Sequence, residues 1–129
     1  MKPIPVHFVL LPGSLLLDWA GPAEAFRIAN QSLQARGAAP RFDVHFIGPA
    51  ASPRSSLGIA VTGVAPLPAE LPPGSWVVLV GMPGNAVDRH QPGMPETLQW
   101  LRALPRGERS PRIVTICAVP QVLARLGAA

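Results

Sequence analysis

Short apolar runs bounded by Pro and Gly predict five strands along the chain. The clearest is WVVLV, at Trp76–Val80, which lacks polar alternation and so is typical of a strand buried on both faces. FDVHFI, at Phe42–Ile47, instead alternates apolar and polar residues, as a half-buried strand does. The predicted strands are Val6–Leu11, Phe42–Ile47, Leu57–Val64, Trp76–Val80 and Arg112–Ile116.

Apolar residues at helical spacing predict the helices between these strands. Pro22, Phe26, Ala29 and Leu33 share one helical face, and Gly21 is expected to cap this helix with Pro22 at its first position. The helix is expected to end near Gly37. A second helix carries Leu98 and Leu101, with Met94 and Leu104 as further members, and begins around Pro95-Glu96; a third runs from Val119 to Leu126.

The alternation of strands and helices predicts an α/β fold, a flavodoxin-like open parallel sheet flanked by helices. In such sheets the functional groups collect at the carboxyl ends of the strands. The segments that follow Leu11, Val80 and Ile116 are therefore the candidate site.

Composition narrows the protein class. The 129 residues are 48% hydrophobic and 14% charged, which excludes a disordered tail, and 17 Pro with 12 Gly exclude a long-helix bundle. The single cysteine, Cys117, excludes an internal disulfide and a four-cysteine zinc site, and no metal or cofactor is expected. No apolar run approaches the ~20 residues of a membrane helix, and no signal segment is evident, so we expect a cytoplasmic protein without membrane contact.

The formal charge of +4 raises the question of nucleic-acid binding. Residues 1–99 are balanced, and the excess lies in the last thirty residues, mostly in RALPRGERSPR, residues 102–112. Pro and Gly interrupt this segment, which favours a solvated connection between elements over a nucleic-acid surface.

Three features at the predicted strand ends carry candidate chemistry. Cys117 lies at a strand-to-helix junction, where free N–H groups at the helix start favour a thiolate, although a lone cysteine is more often a small buried hydrophobe. Asp18, among leucines and a Trp, could serve as acid or base to a thiol, or could simply form a turn. The glycine-rich turn VGMPGN contains Gly81 and Met82, whose amides could face an anion, but any tight loop would use such glycines.

These blocks carry a resemblance to a known family. LLPGSLLLDWAGPAEAFRIAN, VVLVGMPG and IVTICAVPQVLARLG are similar to three signature blocks of the ThiJ/PfpI superfamily, which has a class I glutamine amidotransferase-like fold. The match most resembles the N-terminal domains of GlxA-type regulators of the AraC family, and the first block is also similar to that of isonitrile hydratases. The resemblance implies that Cys117 is the reactive cysteine, Asp18 its partner acid, and Gly81 with Met82 the oxyanion-side turn.

The chain also departs from the family pattern. Val119 and Pro120 follow Ala118 where the family has small residues, and no histidine follows Cys117. His7 and His45 lie on predicted strands and are expected to be packed or surface residues rather than catalytic bases, and His90 lies in a predicted loop. Against the family domain, residues 1–129 are expected to be the N-terminal portion, incomplete at the C-terminus and without the DNA-binding helix-turn-helix domain.

Three hypotheses follow. The favoured one is a non-catalytic ligand-sensing or dimerisation domain of an AraC-type transcriptional regulator, a homodimer that binds a small effector at Asp18, Gly81, Met82 and Cys117 and DNA only through a further module. The second is a cysteine-dependent hydrolase or isonitrile-hydratase-like enzyme, with Cys117 as nucleophile and Asp18 as acid/base. The third is a truncated remnant with neither role.

Overall fold

A computed structural model describes residues 2–83 and 91–116 of the chain, and the predicted helix Val119–Leu126 lies outside them. Within these residues one sheet has the strand order β3-β2-β1-β4-β5, and each neighbouring pair is parallel. This confirms the predicted flavodoxin-like α/β fold. The elements are β1 (Ile4–Val9), α1 (Leu16–Ala35), β2 (Phe42–Gly48), β3 (Ala65–Pro66), β4 (Trp76–Leu79), α2 (Met94–Arg102), a 3-10 helix (Gly107–Arg109) and β5 (Arg112–Thr115).

Four predicted strands and the second helix are confirmed, but the strand predicted at Leu57–Val64 is wrong. The chain instead turns back on itself: the Ser55 N–H donates to the Ile59 carbonyl at 2.8 Å, and Arg54 forms an antiparallel bridge with Ala60. Leu57 is 70% exposed and Ile59 59%, so the apolar pattern here does not mark a buried strand. After this turn, the chain joins the sheet only at the short strand β3, which pairs with β2.

Helix α1 begins at Leu16, six residues before the predicted start at Pro22, and Gly21 is therefore no cap. Distant groups satisfy the N–H groups at its start, since Leu15 donates to the Gly81 carbonyl at 3.0 Å and Leu16 to the Ser56 hydroxyl at 3.2 Å. Pro22 lies inside the helix, where it removes one intrahelical hydrogen bond. Tertiary contacts therefore replace the local start signal that the sequence suggested.

The sheet divides the core into two layers. On the side that we call the α1 face, α1 covers the strands with Trp19, Ala23 and Phe26. On the opposite side, the α2 face, α2 contributes Met94, Leu98 and Leu101. The buried residues of the strands and of the positions directly after them are Val6, Phe8, Leu10, Val78 and Val80 on the α1 face, and Val9, Leu11, Ile47, Val77 and Leu79 on the α2 face.

The strand ends approach closely where β1 and β2 leave the sheet. A Cβ atom at Gly48 would overlap the carbonyl oxygen of Leu10, so this contact requires glycine. The Leu10 N–H donates to the Ile47 carbonyl at 2.8 Å and extends the pairing past β1. The loops after β1 and β2 are thereby held together at the carboxyl edge of the sheet.

The arginine-rich segment that precedes β5 is exposed from Pro105 to Ser110, as expected for a solvated connection. Arg112 at the start of β5 instead lies over the Trp76 ring, with its guanidinium carbon 5.5 Å from the ring centroid. Neither α1 nor any other helix in the described part of the chain has the length and hydropathy of a membrane-spanning segment.

Candidate functional site

The candidate site begins with the turn that follows β1. The Ser14 hydroxyl donates to the Leu11 carbonyl at 2.7 Å and accepts from the Leu11 N–H at 3.0 Å. Gly13 adopts a φ of 87°, in the left-handed region that favours glycine. Ser14 is buried, so this closed turn fixes the point from which the chain enters α1.

A chain of backbone hydrogen bonds connects the turn after β4 to the first turn of α1. The Gly81 carbonyl accepts from the Leu15 N–H at 3.0 Å, and the Leu15 carbonyl accepts from the Asp18 N–H at 3.1 Å. The structure therefore brings two predicted site segments, the one with Gly81 and the one with Asp18, to the same edge of the sheet.

Met82 packs into the turn after β1. Its sulfur lies 3.8 Å from both the Ser14 hydroxyl oxygen and Nε2 of Gln91. The Ser14 proton is already held by the shorter bond to Leu11, so the sulfur contact is mainly packing. A Cβ atom at Gly13 would lie 3.4 Å from the Met82 methyl carbon, which shows how tightly the two loops meet. The Met82 side chain thus fills space between the strand ends.

Asp18 lies in the first turn of α1, not in a loop ahead of the helix. A carboxylate there is favoured by the partial positive charge of the helix N-terminus. One carboxyl oxygen, Oδ2, is buried and has no hydrogen-bond partner within residues 2–83 and 91–116. A buried acceptor without a donor is costly, so this oxygen favours a partner that carries an N–H or O–H group.

The predicted reactive cysteine cannot be placed in this geometry. Cys117, Val119 and Pro120 lie outside the described residues, as does Gly84 of the turn after β4. The described chain ends at Ile116, whose N–H donates to the Leu79 carbonyl at 2.9 Å and keeps β5 paired with β4. The pairing of Cys117 with Asp18 therefore stays a prediction.

Nothing in the described ranges forms a metal centre, because no group of three or more His, Cys, Asp and Glu side chains there could hold an ion. His7 and His45 lie on β1 and β2, away from the carboxyl edge, and are packed and surface residues, respectively, as expected. His90 lies outside the described residues.

Sequence reasoning missed Gln91 and Ser14 as structural parts of this edge. Gln91 donates from Nε2 to the Pro12 carbonyl at 2.6 Å and so joins the start of α2 to the turn after β1. No local pattern identifies Gln91, since its partner lies 79 residues away. Ser14 had a detectable signal, because a Ser three residues beyond the end of an apolar run commonly closes a turn onto the backbone.

No protein-family model matches the sequence, and no curated protein sequence matches it significantly. Solved structures do match. A ThiJ/PfpI family protein from Pseudomonas syringae superposes with a TM-score of 0.67 at 17% identity, over 99% of this chain and 48% of that protein. A candidate transcriptional regulator from Vibrio parahaemolyticus gives a TM-score of 0.67 at 17% identity, over 98% of this chain and 62% of that protein.

Drosophila melanogaster DJ-1beta is also similar, with a TM-score of 0.58 at 20% identity, over 99% of this chain and 62% of that protein. The chain thus spans between about half and three-fifths of the length of these structures. At these identities the likeness concerns the fold. This chain shares the fold of ThiJ/PfpI superfamily proteins, in agreement with the resemblance of its three sequence blocks to the signature blocks of that superfamily.

Proposed function

We propose that this chain is a non-catalytic ligand-sensing domain of an AraC-type transcriptional regulator, and that Asp18 binds a small effector that carries an amine or amide. The observation that supports this most directly is the buried Oδ2 of Asp18, which has no donor among the described residues. An ammonium or amide N–H would supply the missing hydrogen bond, and an ammonium would also balance the charge.

The neighbouring segments fit a binding role. Leu15 joins the first turn of α1, which carries Asp18, to the Gly81 turn through backbone hydrogen bonds. We therefore propose that Gly81 and Met82 belong to the same ligand site as Asp18. Similarity in fold to a candidate transcriptional regulator agrees with this proposal. We further propose that the domain acts as a homodimer and that DNA binding resides in a separate module.

Ligand binding by the Asp18→Asn variant tests the proposal. We expect isothermal titration with a panel of small primary amines and amides to find a ligand of the full 129-residue chain. Asn keeps the size of Asp but loses its charge, so the substitution is expected to weaken amine binding by about tenfold or more. Glu24→Gln is the matched control, because Glu24 lies on the same helix, is exposed and pairs with Arg27 at 2.7 Å.

Equal affinity in the Asp18→Asn variant, or no binding by any amine or amide, would contradict a sensing role for Asp18. The enzymatic alternative is separated by alkylation of Cys117 with iodoacetamide across a pH series. A sensing domain is expected to alkylate slowly, with a thiol pKa of about 8.5 or above. A fast-reacting thiolate near neutral pH, slowed by Asp18→Asn, would favour the cysteine-dependent enzyme instead.

A further inference from the structure

A second group of titratable side chains lies on the α2 face, away from the candidate site. The tripeptide Val-His-Phe occurs in both β1 and β2, and the register pairs the two copies residue by residue, His7 with His45. The two imidazole rings stack with centroids 5.0 Å apart and an interplanar angle of 15°. Asp43 is two residues before His45 and therefore shares its face of β2.

The two histidines differ sharply in their surroundings. Nε2 of His45 lies 2.8 Å from Oδ2 of Asp43, and their side chains are 46% and 57% exposed. His7 is only 5% exposed, and its Nδ1 is buried without a hydrogen-bond partner in the described chain. One imidazole thus lies against a carboxylate in contact with water, while the other is enclosed.

We propose that His7, His45 and Asp43 form an acid-sensitive switch that weakens the pairing of β1 with β2 in mildly acidic solution. Asp43 supplies one negative charge for the two stacked rings. Asp43 lies against His45 and not against His7, since its Oδ2 is 2.8 Å from Nε2 of His45. A proton on His7 would instead enter a buried ring inside the sheet and beside the His45 ring, where a charge is poorly solvated.

Within residues 2–83 and 91–116, no charged group of an element other than β2 acts on His7. His7 pairs with Val77 of β4, and Val77 pairs with Ile113 of β5. The buried residues of α2 are Met94, Thr97, Leu98 and Leu101, and its charged residues Glu96 and Arg102 are exposed. His45 and Asp43 are therefore the charged groups that act on His7 within the described residues.

The direction of the pH effect follows from these contacts. Burial, and then repulsion by His45, lower the pKa of His7 from its ordinary value of 6.5, and a hydrogen bond with the Trp76 backbone and the charge of Asp43 only oppose this. The unfolded chain then binds a proton at His7 more readily than the folded chain does. The contribution of neutral His7 to the free energy of unfolding is therefore fully present above pH 6.5. It is lost as the pH falls from 6.5 toward the lowered pKa of His7 in the folded state.

Urea unfolding of the full 129-residue chain between pH 5 and 8 tests the switch. One proton bound on unfolding raises the unfolding equilibrium constant by at most about tenfold for each pH unit below 6.5. We expect this dependence in the wild type and a flatter profile in His7→Leu. His90→Gln, a change of the third histidine, is the control and is expected to keep the wild-type profile.

An NMR titration of the three histidine rings keeps the test decisive if His7→Leu does not fold. The ring of His7 is expected to titrate below pH 6.5, and its pKa is expected to rise in His45→Gln, because the repulsion by His45 is removed. A His7 ring that titrates at or above 6.5 would overturn the proposal, as would a His7→Leu variant with the wild-type pH profile. These outcomes do not depend on Asp18 or on any ligand.

Discussion

The two faces of the central sheet are built from different chemistry. On the α1 face, the ring centroid of Phe8 lies 5.6 Å from that of Phe46 and 6.2 Å from that of Phe26. Further aromatic rings continue across the neighbouring strands and the helix. On the α2 face the fully buried residues near the carboxyl ends of the strands are aliphatic or Met, and the partly buried Trp100 packs against them. Farther toward the strand starts it gives way to the His7 and His45 pair.

This difference assigns separate roles to the two faces. The aromatic layer holds α1 against the sheet, and the first turn of α1 carries Asp18, so this layer positions the candidate site. The α2 face contains the stacked rings of His7 and His45, and burial of His7 lowers the pKa of its ring. We therefore expect substitutions in the aromatic layer to change stability at all pH values, and those at the histidine pair to change its dependence on pH.

Phe8→Ala is expected to have the largest effect. Phe8 is fully buried between β2 and α1, and removal of its ring leaves a cavity in the aromatic layer. The free energy of unfolding in urea at pH 7.5 is expected to fall by about 3–5 kcal/mol. If this variant does not fold, Phe8→Leu should show a smaller loss at the same position.

Leu98→Ala on the α2 face is the matched comparison for Phe8→Ala. Leu98 is 7% exposed and has a smaller side chain than Phe8. Its replacement is therefore expected to lower the free energy of unfolding by an amount in the lower part of a range of about 2–5 kcal/mol. An equal or larger loss for Leu98→Ala would show that the aromatic layer is not the dominant core of this domain.

Asn30→Ala is expected to have an intermediate effect, because Asn30 attaches α1 to the start of β2. Its Nδ2 donates to the Phe42 carbonyl at 2.7 Å, and its Oδ1 accepts from the N–H groups of Arg41 and Phe42 at 2.9 and 3.0 Å. Loss of these bonds leaves partly buried backbone groups without partners and is expected to cost about 1–3 kcal/mol in urea unfolding.

Gln31→Ala is the control for Asn30→Ala. Gln31 is the next residue of the helix, is exposed, and accepts one hydrogen bond from Arg27 at 3.2 Å. Its replacement is expected to change the free energy of unfolding by less than about 0.5 kcal/mol. Similar losses for the two variants would contradict the role of Asn30 in holding α1 to the sheet.

The sequence predicted those parts of the fold that depend on local patterning. Trp76–Leu79 and Arg112–Thr115 follow from short apolar runs, and Met94–Arg102 from helical spacing and a nearby proline. The apolar residues of Leu57–Val64 predict a strand, because such residues normally indicate burial, but Leu57 and Ile59 are exposed in a turn. Periodicity alone could not show that this segment folds back on itself instead of joining the sheet.

The candidate site was predictable only as an edge of the sheet. The segments with Asp18 and Gly81 do lie at the same edge, where Leu15 forms backbone hydrogen bonds with both residues. The place of Asp18 inside a helix was not predictable, because the start of α1 depends on Gly81 and Ser56, which are distant in sequence. The unpartnered oxygen of Asp18 likewise depends on tertiary packing.

Gly21→Ala has the smallest expected effect and the opposite sign, and it tests how α1 is attached to the α1 face. If α1 began at Pro22, Gly21 would be its cap, and Ala, a poor cap residue, would destabilise the protein. In the structure Gly21 lies inside the helix, and a Cβ atom there would lie 3.9 Å from the Leu17 side chain, an ordinary contact. Ala should therefore raise the free energy of unfolding by about 0.5–1 kcal/mol.

Gly58→Ala separates this helix effect from a general effect of replacing glycine. Gly58 has a φ of 81° with nothing within 4 Å of an added Cβ, so Ala there meets backbone strain without a clash and should destabilise by about 1–2 kcal/mol. A loss of stability in Gly21→Ala would place the start of the helix at Pro22 and remove Asp18 from its first turn. If Gly21→Ala instead raises the free energy of unfolding while Gly58→Ala lowers it, α1 extends from Leu16 onward. The aromatic layer that holds this helix then also sets the position of the Asp18 carboxylate.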